Sequence, residues 1–258
     1  MKVVILCGGF GTRLRDQTEF RPKPLVEIGG RPVLWHIMKL YAHHDFKDFV
    51  LCLGYKGTMI KEYFLKYEAM NNDFTVRLGR KSEIQYHGGH SEQDFSVTLV
   101  DTGQDSMTGG RVLRTKPFIE DQTFMVTYGD GVSDLDLRAL ERFHRSHGKL
   151  ATVTTFKATS RFGILDIGSD AEVNSFAEKP ELDSWVSAGY FVFDRRVFDY
   201  LTDDSCVLER GPMERLAREG QLAAYQHPGF FYTLDTYRDY LHLNQLWASG
   251  KIPWKVWT

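Results

Sequence analysis

The segment LCGGFGTRL, residues 6–14, contains the residue types of a loop that binds phosphate. Gly8, Gly9 and Gly11 lack the Cβ atoms that would keep an anion away from the main chain. Glycine also permits positive φ angles, at which consecutive backbone N–H groups can converge on one anion. The spacing therefore predicts an anion nest in this loop.

Three side chains close to the nest suit a triphosphate. Thr12 would donate from its hydroxyl, and Arg13 could hold two phosphate oxygens in one plane. Lys23, in the segment RPKP, would supply a second cation. The loop departs from the Rossmann fingerprint GxGxxG at Leu14, and it lacks the Gly-Lys-Ser/Thr that ends a P-loop. From the residues alone, a simple glycine-rich turn after a strand is the alternative.

The segment before the nest, residues 1–6, is an apolar, β-branched run typical of a strand buried on both faces of a parallel sheet. Similar runs alternate with amphipathic helices, which places a ligand crevice at the carboxyl ends of the strands. The pattern predicts strands at 49–53, 124–128, 151–156, 188–193 and 222–226, and helices at 33–44, 58–67, 135–147 and 237–247. We therefore predict an α/β fold with a Rossmann-like mixed, mainly parallel sheet flanked by helices. It forms a single domain over residues 1–258, with an irregular β excursion around 71–100.

The composition narrows the class of protein. Lysine plus arginine total 32 and aspartate plus glutamate 34, so the net charge is −2. The chain therefore has no overall positive field that would attract nucleic acid or an anionic membrane. Three widely spaced cysteines without a CxxC pair argue against a disulfide framework and a structural zinc site. No apolar run approaches the ~20 residues that cross a bilayer, and we expect no leader before the first strand. These features fit a cytoplasmic protein that binds phosphate locally.

Two aspartates each follow an apolar strand and have small neighbours: Asp130 in YGDG and Asp235 in LDT. Carboxylate oxygens suit Mg²⁺, which usually takes one or two of them and completes its shell with phosphate oxygens and waters. Because Asp130 ends a strand, we expect it at the same edge of the sheet as the nest. Taken alone, either aspartate could equally be a turn former.

Other polar groupings have simpler explanations. We expect Asp134 to be the N-cap of a helix that begins at Leu135, where apolar spacing starts. Two histidine pairs could in principle ligate a metal, namely His87 with His90, and His144 with His147. Neither pair has an obvious third ligand, so we expect ordinary surface histidines.

The motifs GGFGTRL, KP, YGDG, EKP and LDT occur in this order along the chain. Through them the sequence resembles the sugar-1-phosphate nucleotidyltransferases, and SMTGGR, RFGILDI and HPGF make it most similar to their glucose-1-phosphate cytidylyltransferase branch. The resemblance implies a GT-A-like nucleotidyltransferase domain with Mg²⁺ as cofactor. It implies a reaction in which CTP and a sugar 1-phosphate, first of all α-D-glucose 1-phosphate, give a CDP-sugar and diphosphate. It also implies a homo-oligomer, since family members form trimers or hexamers.

The resemblance assigns roles to individual residues. It implies catalytic roles for Arg13, Lys23, Asp130 and Lys179, and it makes Asp130 and Asp235 the metal ligands. The nucleotide-binding set that it implies is Leu6, Gly8, Gly9, Gly11, Thr12, Arg13, Lys23, Ser106, Arg111 and Gly129. The implied sugar-phosphate-binding set is Tyr128, Glu178, Lys179 and Ser187. We expect Arg111 at the start of a helix, where the helix N-terminus already favours anions.

One departure from the family concerns the acceptor. The family usually has Asn-Gly-Gly before an aromatic strand, whereas this chain has VSAGYFV, with Ser187 in place of the asparagine. A serine hydroxyl reaches less far than an amide and has fewer donors, so a different sugar 1-phosphate or another phosphomonoester is the alternative acceptor. A glycosyltransferase of similar fold and a non-catalytic nucleotide sensor are the other classes left open. The loop with Lys23 argues against the first, and retention of Asp130 and Asp235 argues against the second.

Overall fold

The computed structural model describes residues 1–79, 83–160 and 162–258, and it describes only the main chain of residues 15, 16 and 182. The strands are β1 Val3–Leu6, β2 Glu27–Ile28, β3 Arg31–Pro32, β4 Asp48–Leu53, β5 Asp73–Val76, β6 Ile84–His87, β7 Ser96–Asp101, β8 Thr123–Tyr128, β9 Gly131–Ser133, β10 Ala151–Thr159, β11 Ile164–Ile167, β12 Val173–Ala177, β13 Glu181–Asp194, β14 Leu222–Gln226 and β15 Phe231–Thr233. The helices are α1 Arg15–Thr18, α2 Val33–His43, α3 Gly57–Leu65, α4 Tyr67–Asn71, α5 Thr108–Arg114, α6 Leu137–His147, α7 Gly211–Arg218 and α8 Tyr237–Ala248. Short 3₁₀ turns cover Thr12–Leu14, Lys23–Leu25, Lys116–Phe118 and Arg195–Tyr200. Arg161, in the segment RFGILDI, lies outside the described residues.

The central sheet has seven strands in the described part of the chain, in the order β14-β10-β13-β8-β1-β4-β7. β1 pairs in parallel with β4 and β8, β4 pairs in parallel with β7, and β10 pairs in parallel with β14. β13 runs antiparallel to both of its neighbours, β8 and β10. The sheet is therefore mixed and mainly parallel, as predicted. No helix among the described residues is long and apolar enough to cross a membrane.

The first strand has apolar side chains on both faces, as its sequence indicates. Val3 and Ile5 belong to one hydrophobic core, together with residues of α2 and α8. Val4 and Leu6 belong to a second core on the other face, together with residues of α5 and α7. Burying a side chain of this size contributes about 1.5–3 kcal/mol. β1 thus anchors the loop that follows Leu6 from both sides of the sheet.

The segment predicted as a β excursion, around residues 71–100, contains three strands among its described residues, and the last of them belongs to the central sheet. Residues 96–101 form β7, which pairs in parallel with β4 from Asp48↔Ser96 to Leu53↔Asp101. β7 is an edge strand of the sheet. Its sequence, SVTLVD, mixes polar and apolar residues and lacks the continuous apolar run of a central strand. Outside the main sheet, β5 and β6 form a separate hairpin with exposed side chains.

The N-cap prediction for Asp134 is wrong. α6 begins at Leu137, and the side chain of Asp136 accepts a hydrogen bond from the Ala139 N–H at 2.8 Å. The segment DLD offers two candidate caps, and the helix starts two residues later than predicted because Asp136, not Asp134, makes the capping bond. Asp134 instead accepts from the Phe230 N–H at 2.7 Å.

The C-terminal tail packs against α2 through its tryptophans. Trp254 and Trp257 are both buried. The Trp254 indole N–H donates to His36 Nδ1 at 3.3 Å, so the other ring nitrogen of His36 carries the proton and donates to the Ile28 carbonyl at 2.9 Å. The tail is therefore tied to β2, the strand that follows the Lys23 turn.

Candidate functional site

A crevice of about 380 Å³ lies at the carboxyl ends of β1, β7 and β8. Because these strands run parallel, the loops that follow them meet at one edge of the sheet. The predicted site residues that line the crevice are Leu6, Gly8, Gly9, Gly11, Thr12, Arg13, Lys23, Ser106, Arg111, Tyr128, Gly129, Asp130 and Asp235. The structure thus assembles the predicted phosphate loop and both predicted metal ligands around one cavity.

The three glycines of the phosphate loop have different surroundings. A Cβ on Gly8 would lie 2.1 Å from Arg111 Nη1, so this position has no space for a side chain. Gly11 has a φ of 63°, and its carbonyl accepts from the Leu14 N–H at 3.0 Å, which closes the turn. A Cβ on Gly9 would meet no atom within 4 Å. The main chain at Gly9 is therefore the part of the loop that is open towards a ligand.

Lys23 lies at the centre of the crevice. It begins a 3₁₀ turn between Pro22 and Pro24, whose fixed φ angles restrict the local backbone. Its ammonium nitrogen lies 2.6 Å from Asp130 Oδ2 and 2.7 Å from Asp235 Oδ1. Its side chain is only 12% exposed. Asp130 follows β8 and Asp235 precedes α8, so Lys23 bridges two distant parts of the chain.

The charged groups around Lys23 shift one another's pKa values. Burial lowers the pKa of Lys23, but the ion pairs with Asp130 and Asp235 outweigh burial and raise it overall. Burial raises the pKa of Asp235, but Lys23 and Arg13 hold it below its usual value overall. Arg13 Nη2 lies 2.9 Å from Asp235 Oδ1, on a side chain that is 67% exposed. The crevice therefore holds ionised groups of both signs at neutral pH.

Asp130 and Asp235 fit a divalent cation, because one oxygen of each converges on the same ammonium within 2.7 Å. Two carboxylates are a usual protein contribution to Mg²⁺ when phosphate oxygens and waters complete the shell. Across residues 1–79, 83–160 and 162–258, no group of three or more His, Cys, Asp or Glu side chains is placed to hold a metal. A metal between these two carboxylates requires Lys23 Nζ to move away from them.

Arg111 lies beneath the phosphate loop and not at a helix start. It is the fourth residue of α5, and its guanidinium is almost fully buried. Its hydrogen bonds go to five neutral acceptors: the Gly8, Leu53, Gly103 and Gln104 carbonyls and Thr102 Oγ1, at 2.8–3.1 Å. Burial lowers its pKa from the usual value. Arg111 therefore ties together the ends of β1, β4 and β7, and its binding of nucleotide stays a prediction.

Three residues of the predicted acceptor side do not line the crevice. Glu178 and Lys179 are exposed and pair with each other, with 3.3 Å between Oε1 and Nζ. Ser187 is exposed, and its Oγ accepts from the Gly189 N–H at 3.2 Å. Gly189 packs so closely on Tyr128 that a Cβ would lie 2.1 Å from the ring. Ser187 is thus next to a crevice residue, while Glu178 and Lys179 lie between β12 and β13.

The histidine pairs make hydrogen bonds to neighbouring side chains. His144 Nδ1 and His147 Nε2 contact the same Thr152 hydroxyl at 2.9 Å and 2.8 Å. His87 contacts Thr75, and His90 contacts Glu68, both at 2.9 Å. These contacts engage the histidines with neighbouring side chains. The expectation of a surface histidine is wrong for His144, which is buried against Thr152.

Several residues of the crevice were not predicted. Those that line it are Cys7, Phe10, Pro24, Gln104, Asp105, Met107 and Thr108. Asp239 was also missed, although it contacts the main chain of Asp235 through its carboxylate at 3.1 Å. The pattern Thr236-x-x-Asp239 matches a capping box and could have identified it. No comparable local signal marks the others, because they come together only through the sheet.

A mixed, mainly parallel sheet, with a glycine-rich loop after its first strand and two aspartates around a lysine at the same edge, defines an α/β protein that handles nucleotides. Residues 2–215 match the family model described as nucleotidyl transferase, and the chain belongs to this family.

Two relatives agree with this family, and a solved structure has a similar fold. The chain is 48% identical over 259 residues to the glucose-1-phosphate cytidylyltransferase of Salmonella typhimurium, with 100% of both chains covered. It is 44% identical over 258 residues to the probable glucose-1-phosphate cytidylyltransferase of Bacillus subtilis, again with 100% of both covered. HddC from Yersinia pseudotuberculosis has a similar fold, with a TM-score of 0.71, 22% identity, and 95% of this chain and 99% of that chain covered. The predicted family is confirmed.

Proposed function

We propose that the protein is an enzyme that joins CTP and α-D-glucose 1-phosphate to give CDP-glucose and diphosphate. The observation that carries the proposal is the convergence of Asp130 and Asp235 on Lys23 beside the open main chain of the phosphate loop. Full-length identity of 48% to a glucose-1-phosphate cytidylyltransferase supports CTP as the nucleotide and glucose 1-phosphate as the acceptor. The crevice is then the CTP side of a site for two substrates.

The reaction needs positioning and charge neutralisation more than acid–base chemistry. A phosphate oxygen of the sugar 1-phosphate attacks the α-phosphorus of CTP, the new P–O bond forms, and the bond to the β-phosphate oxygen breaks to release diphosphate. The attacking phosphate is already ionised at neutral pH, so no general base is required. Arg13 and Lys23 contribute positive charge beside the triphosphate, and the loop N–H groups fix its position.

We assign Mg²⁺ to Asp130 and Asp235, whose oxygens fit it. When bound, the ion neutralises charge on the triphosphate. The residues of the chain provide the remaining control: Lys23 leaves the carboxylates and turns to phosphate oxygens, and Arg111 supports the loop from below. Once Lys23 has left, the two carboxylates carry a net negative charge that favours a divalent cation between them.

We place the acceptor phosphate near Tyr128 and Ser187, with Glu178 and Lys179 supplied by the segment between β12 and β13. Tyr128 lines the crevice, and Ser187 is two residues from the glycine that packs on Tyr128. The serine at this position favours a second candidate acceptor, a sugar 1-phosphate whose hydroxyls differ from those of glucose, because a hydroxyl holds fewer polar groups than an amide.

We also propose a homo-oligomer in the cytoplasm. The hairpins β5–β6 and β11–β12 expose apolar side chains that a partner subunit would cover; Phe162 is 78% exposed, and Ile167 and Phe176 are each 61% exposed. The three cysteines are free thiols, which suits a reducing compartment. Sedimentation at micromolar concentration tests the first proposal, and a monomer would contradict it.

The enzymatic proposal is tested by diphosphate release with each nucleoside triphosphate crossed against a panel of sugar 1-phosphates. We expect release with CTP and glucose 1-phosphate, and loss of release in Asp130→Ala. Lys66→Met, an exposed substitution on α3's carboxyl side, is the control and should keep full activity. Release of a nucleoside diphosphate from a nucleotide sugar would instead identify a glycosyltransferase, and binding of CTP without turnover would identify a sensor.

A further inference from the structure

Asp239 lies in the first turn of α8 and is buried, with 7% of its surface exposed. Its Oδ2 accepts three hydrogen bonds, from the Asp235 N–H at 3.1 Å, the Thr236 N–H at 2.7 Å and the Thr236 hydroxyl at 2.9 Å. Its Oδ1 accepts from the Tyr232 hydroxyl at 3.1 Å. One carboxylate therefore binds both the main chain that carries Asp235 and the strand that precedes it.

This arrangement goes beyond helix capping. A capping box joins the N-cap residue and the third helical residue, here Thr236 and Asp239. The additional bond to the Asp235 N–H holds the residue before the cap, and that residue supplies its carboxylate to the crevice. Helix stability does not require this bond, because the Asp235 N–H lies outside the helix.

The same carboxylate also relates Asp235 to Asp130. Tyr232 is in β15, which pairs with β9 through Tyr232↔Val132. β9 begins directly after Asp130, and the Leu234 N–H donates to the Asp130 carbonyl at 2.9 Å. Asp239 therefore links the Asp235 main chain to Tyr232, whose strand pairs with the strand that follows Asp130.

We propose that Asp239 is a positioning residue for Asp235, and that it holds this carboxylate in the orientation that faces Asp130 and the triphosphate. The proposal rests on the metal-binding role given to Asp235 under the proposed function. Asp239 does not line the crevice, and its oxygens are occupied by hydrogen bonds from the main chain and from Tyr232. Its effect on the metal is therefore indirect, as is typical of groups that orient a ligand.

The test measures Mn²⁺ affinity in the presence of CTP by electron paramagnetic resonance, together with the thermal midpoint, for the full chain. Asp239→Ala should weaken Mn²⁺ binding by about 10–100-fold, the usual cost of losing an orienting group. Asp239→Asn should stay within about threefold of the wild type, because its amide oxygen can accept from both N–H groups and its NH₂ can donate to the Tyr232 oxygen. Tyr232→Phe should give a smaller loss than Asp239→Ala.

Asp136→Ala is the matched control. Asp136 caps α6 through the Ala139 N–H and does not line the crevice, so its loss removes a helix cap without touching the crevice lining. This variant should lower the thermal midpoint and leave Mn²⁺ affinity unchanged. The inference is overturned if Asp239→Ala behaves in the same way, or if Asp239→Asn loses as much affinity as Asp239→Ala.

Asp235→Ala separates this inference from the proposed function. If Asp235→Ala weakens Mn²⁺ binding and Asp239→Ala does not, only the positioning role is wrong. If Asp235→Ala leaves Mn²⁺ affinity unchanged, the metal assignment is wrong and the positioning role is overturned with it.

Discussion

Lys23 Nζ lies 2.7 Å from Asp235 Oδ1, although the two residues are 212 positions apart. The same ammonium lies 2.6 Å from Asp130 Oδ2. The lysine therefore sits between the two carboxylates proposed to hold Mg²⁺, and metal and lysine compete for one position. In the proposed reaction, the triphosphate resolves this competition because it offers Lys23 other oxygens.

Lys23→Met should act in opposite directions on metal and nucleotide. Two unit charges 4 Å apart interact by about 1 kcal/mol in water and about 4 kcal/mol at the effective dielectric near a protein surface, so removing the ammonium should tighten Mn²⁺ binding without nucleotide about tenfold or more. The same change should weaken CTP binding about 10–100-fold, because a charge-assisted hydrogen bond contributes about 1.5–3 kcal/mol. Paramagnetic resonance and calorimetry measure the two affinities. Weaker Mn²⁺ binding in the variant would contradict this competition.

Gly8 and Gly9 should respond differently to alanine. Gly8→Ala places a Cβ 2.1 Å from Arg111 Nη1, and overpacking of this kind costs about 1–3 kcal/mol or more. Gly9→Ala meets no atom within 4 Å, so it should leave the free energy of unfolding nearly unchanged. It should still weaken CTP binding if the triphosphate approaches the main chain here. Urea unfolding and CTP titration separate the effects, and equal stabilities of the two variants would contradict the account.

Arg111→Lys should destabilise the crevice loops. A lysine has three donors and no planar fork, so it cannot satisfy the five acceptors that surround the guanidinium. Leaving buried acceptors unpaired should cost about 3 kcal/mol or more. The control is Arg114→Lys on the same helix, whose ion pair with Asp204 is exposed to solvent and should contribute little to stability. Urea unfolding compares them; similar losses would argue against the support role of Arg111.

His36 should make the protein sensitive to acid. Burial lowers its pKa to about 4, and its Nδ1 accepts from the Trp254 indole, so protonation would set two N–H groups against each other. Between pH 6.5 and 4 the unfolded chain binds a proton that the native state does not, so stability falls as pH falls through this window. The loss attributable to His36 should be about 2 kcal/mol at pH 5 relative to pH 7.

His36→Gln checks this pH dependence, because glutamine can accept from Trp254 and donate to the Ile28 carbonyl without titrating. Urea unfolding at pH 7 and pH 5 should show a smaller difference between the two pH values for the variant than for the wild type. His144, whose pKa is also lowered to about 4 by burial, contributes in both proteins and cancels from the comparison. Identical pH dependence in both would show that other groups control acid stability.

The parts of the site that lie at strand ends were predictable, whereas the contacts made across the fold were not. The apolar run before Gly8 and the strand before Asp130 already indicated a shared edge, because parallel strands bring their carboxyl ends together. The partners of Arg111 could not be inferred, since four main-chain carbonyls and the Thr102 hydroxyl are brought together by three strands. The caps of α6 were ambiguous for a local reason: Asp134 and Asp136 are both good N-cap residues. Asp134 accepts from the distant Phe230 N–H, a contact that the local sequence does not indicate, and Asp136 makes the cap.

The most direct test of the central claim is the anomalous scattering of Mn²⁺ in crystals of the enzyme with CTP. We predict one manganese ion bound by Asp130, Asp235 and triphosphate oxygens. We also predict that Lys23 Nζ has left the carboxylates for a phosphate oxygen. Manganese held by phosphates alone, with Lys23 still between Asp130 and Asp235, would contradict the account.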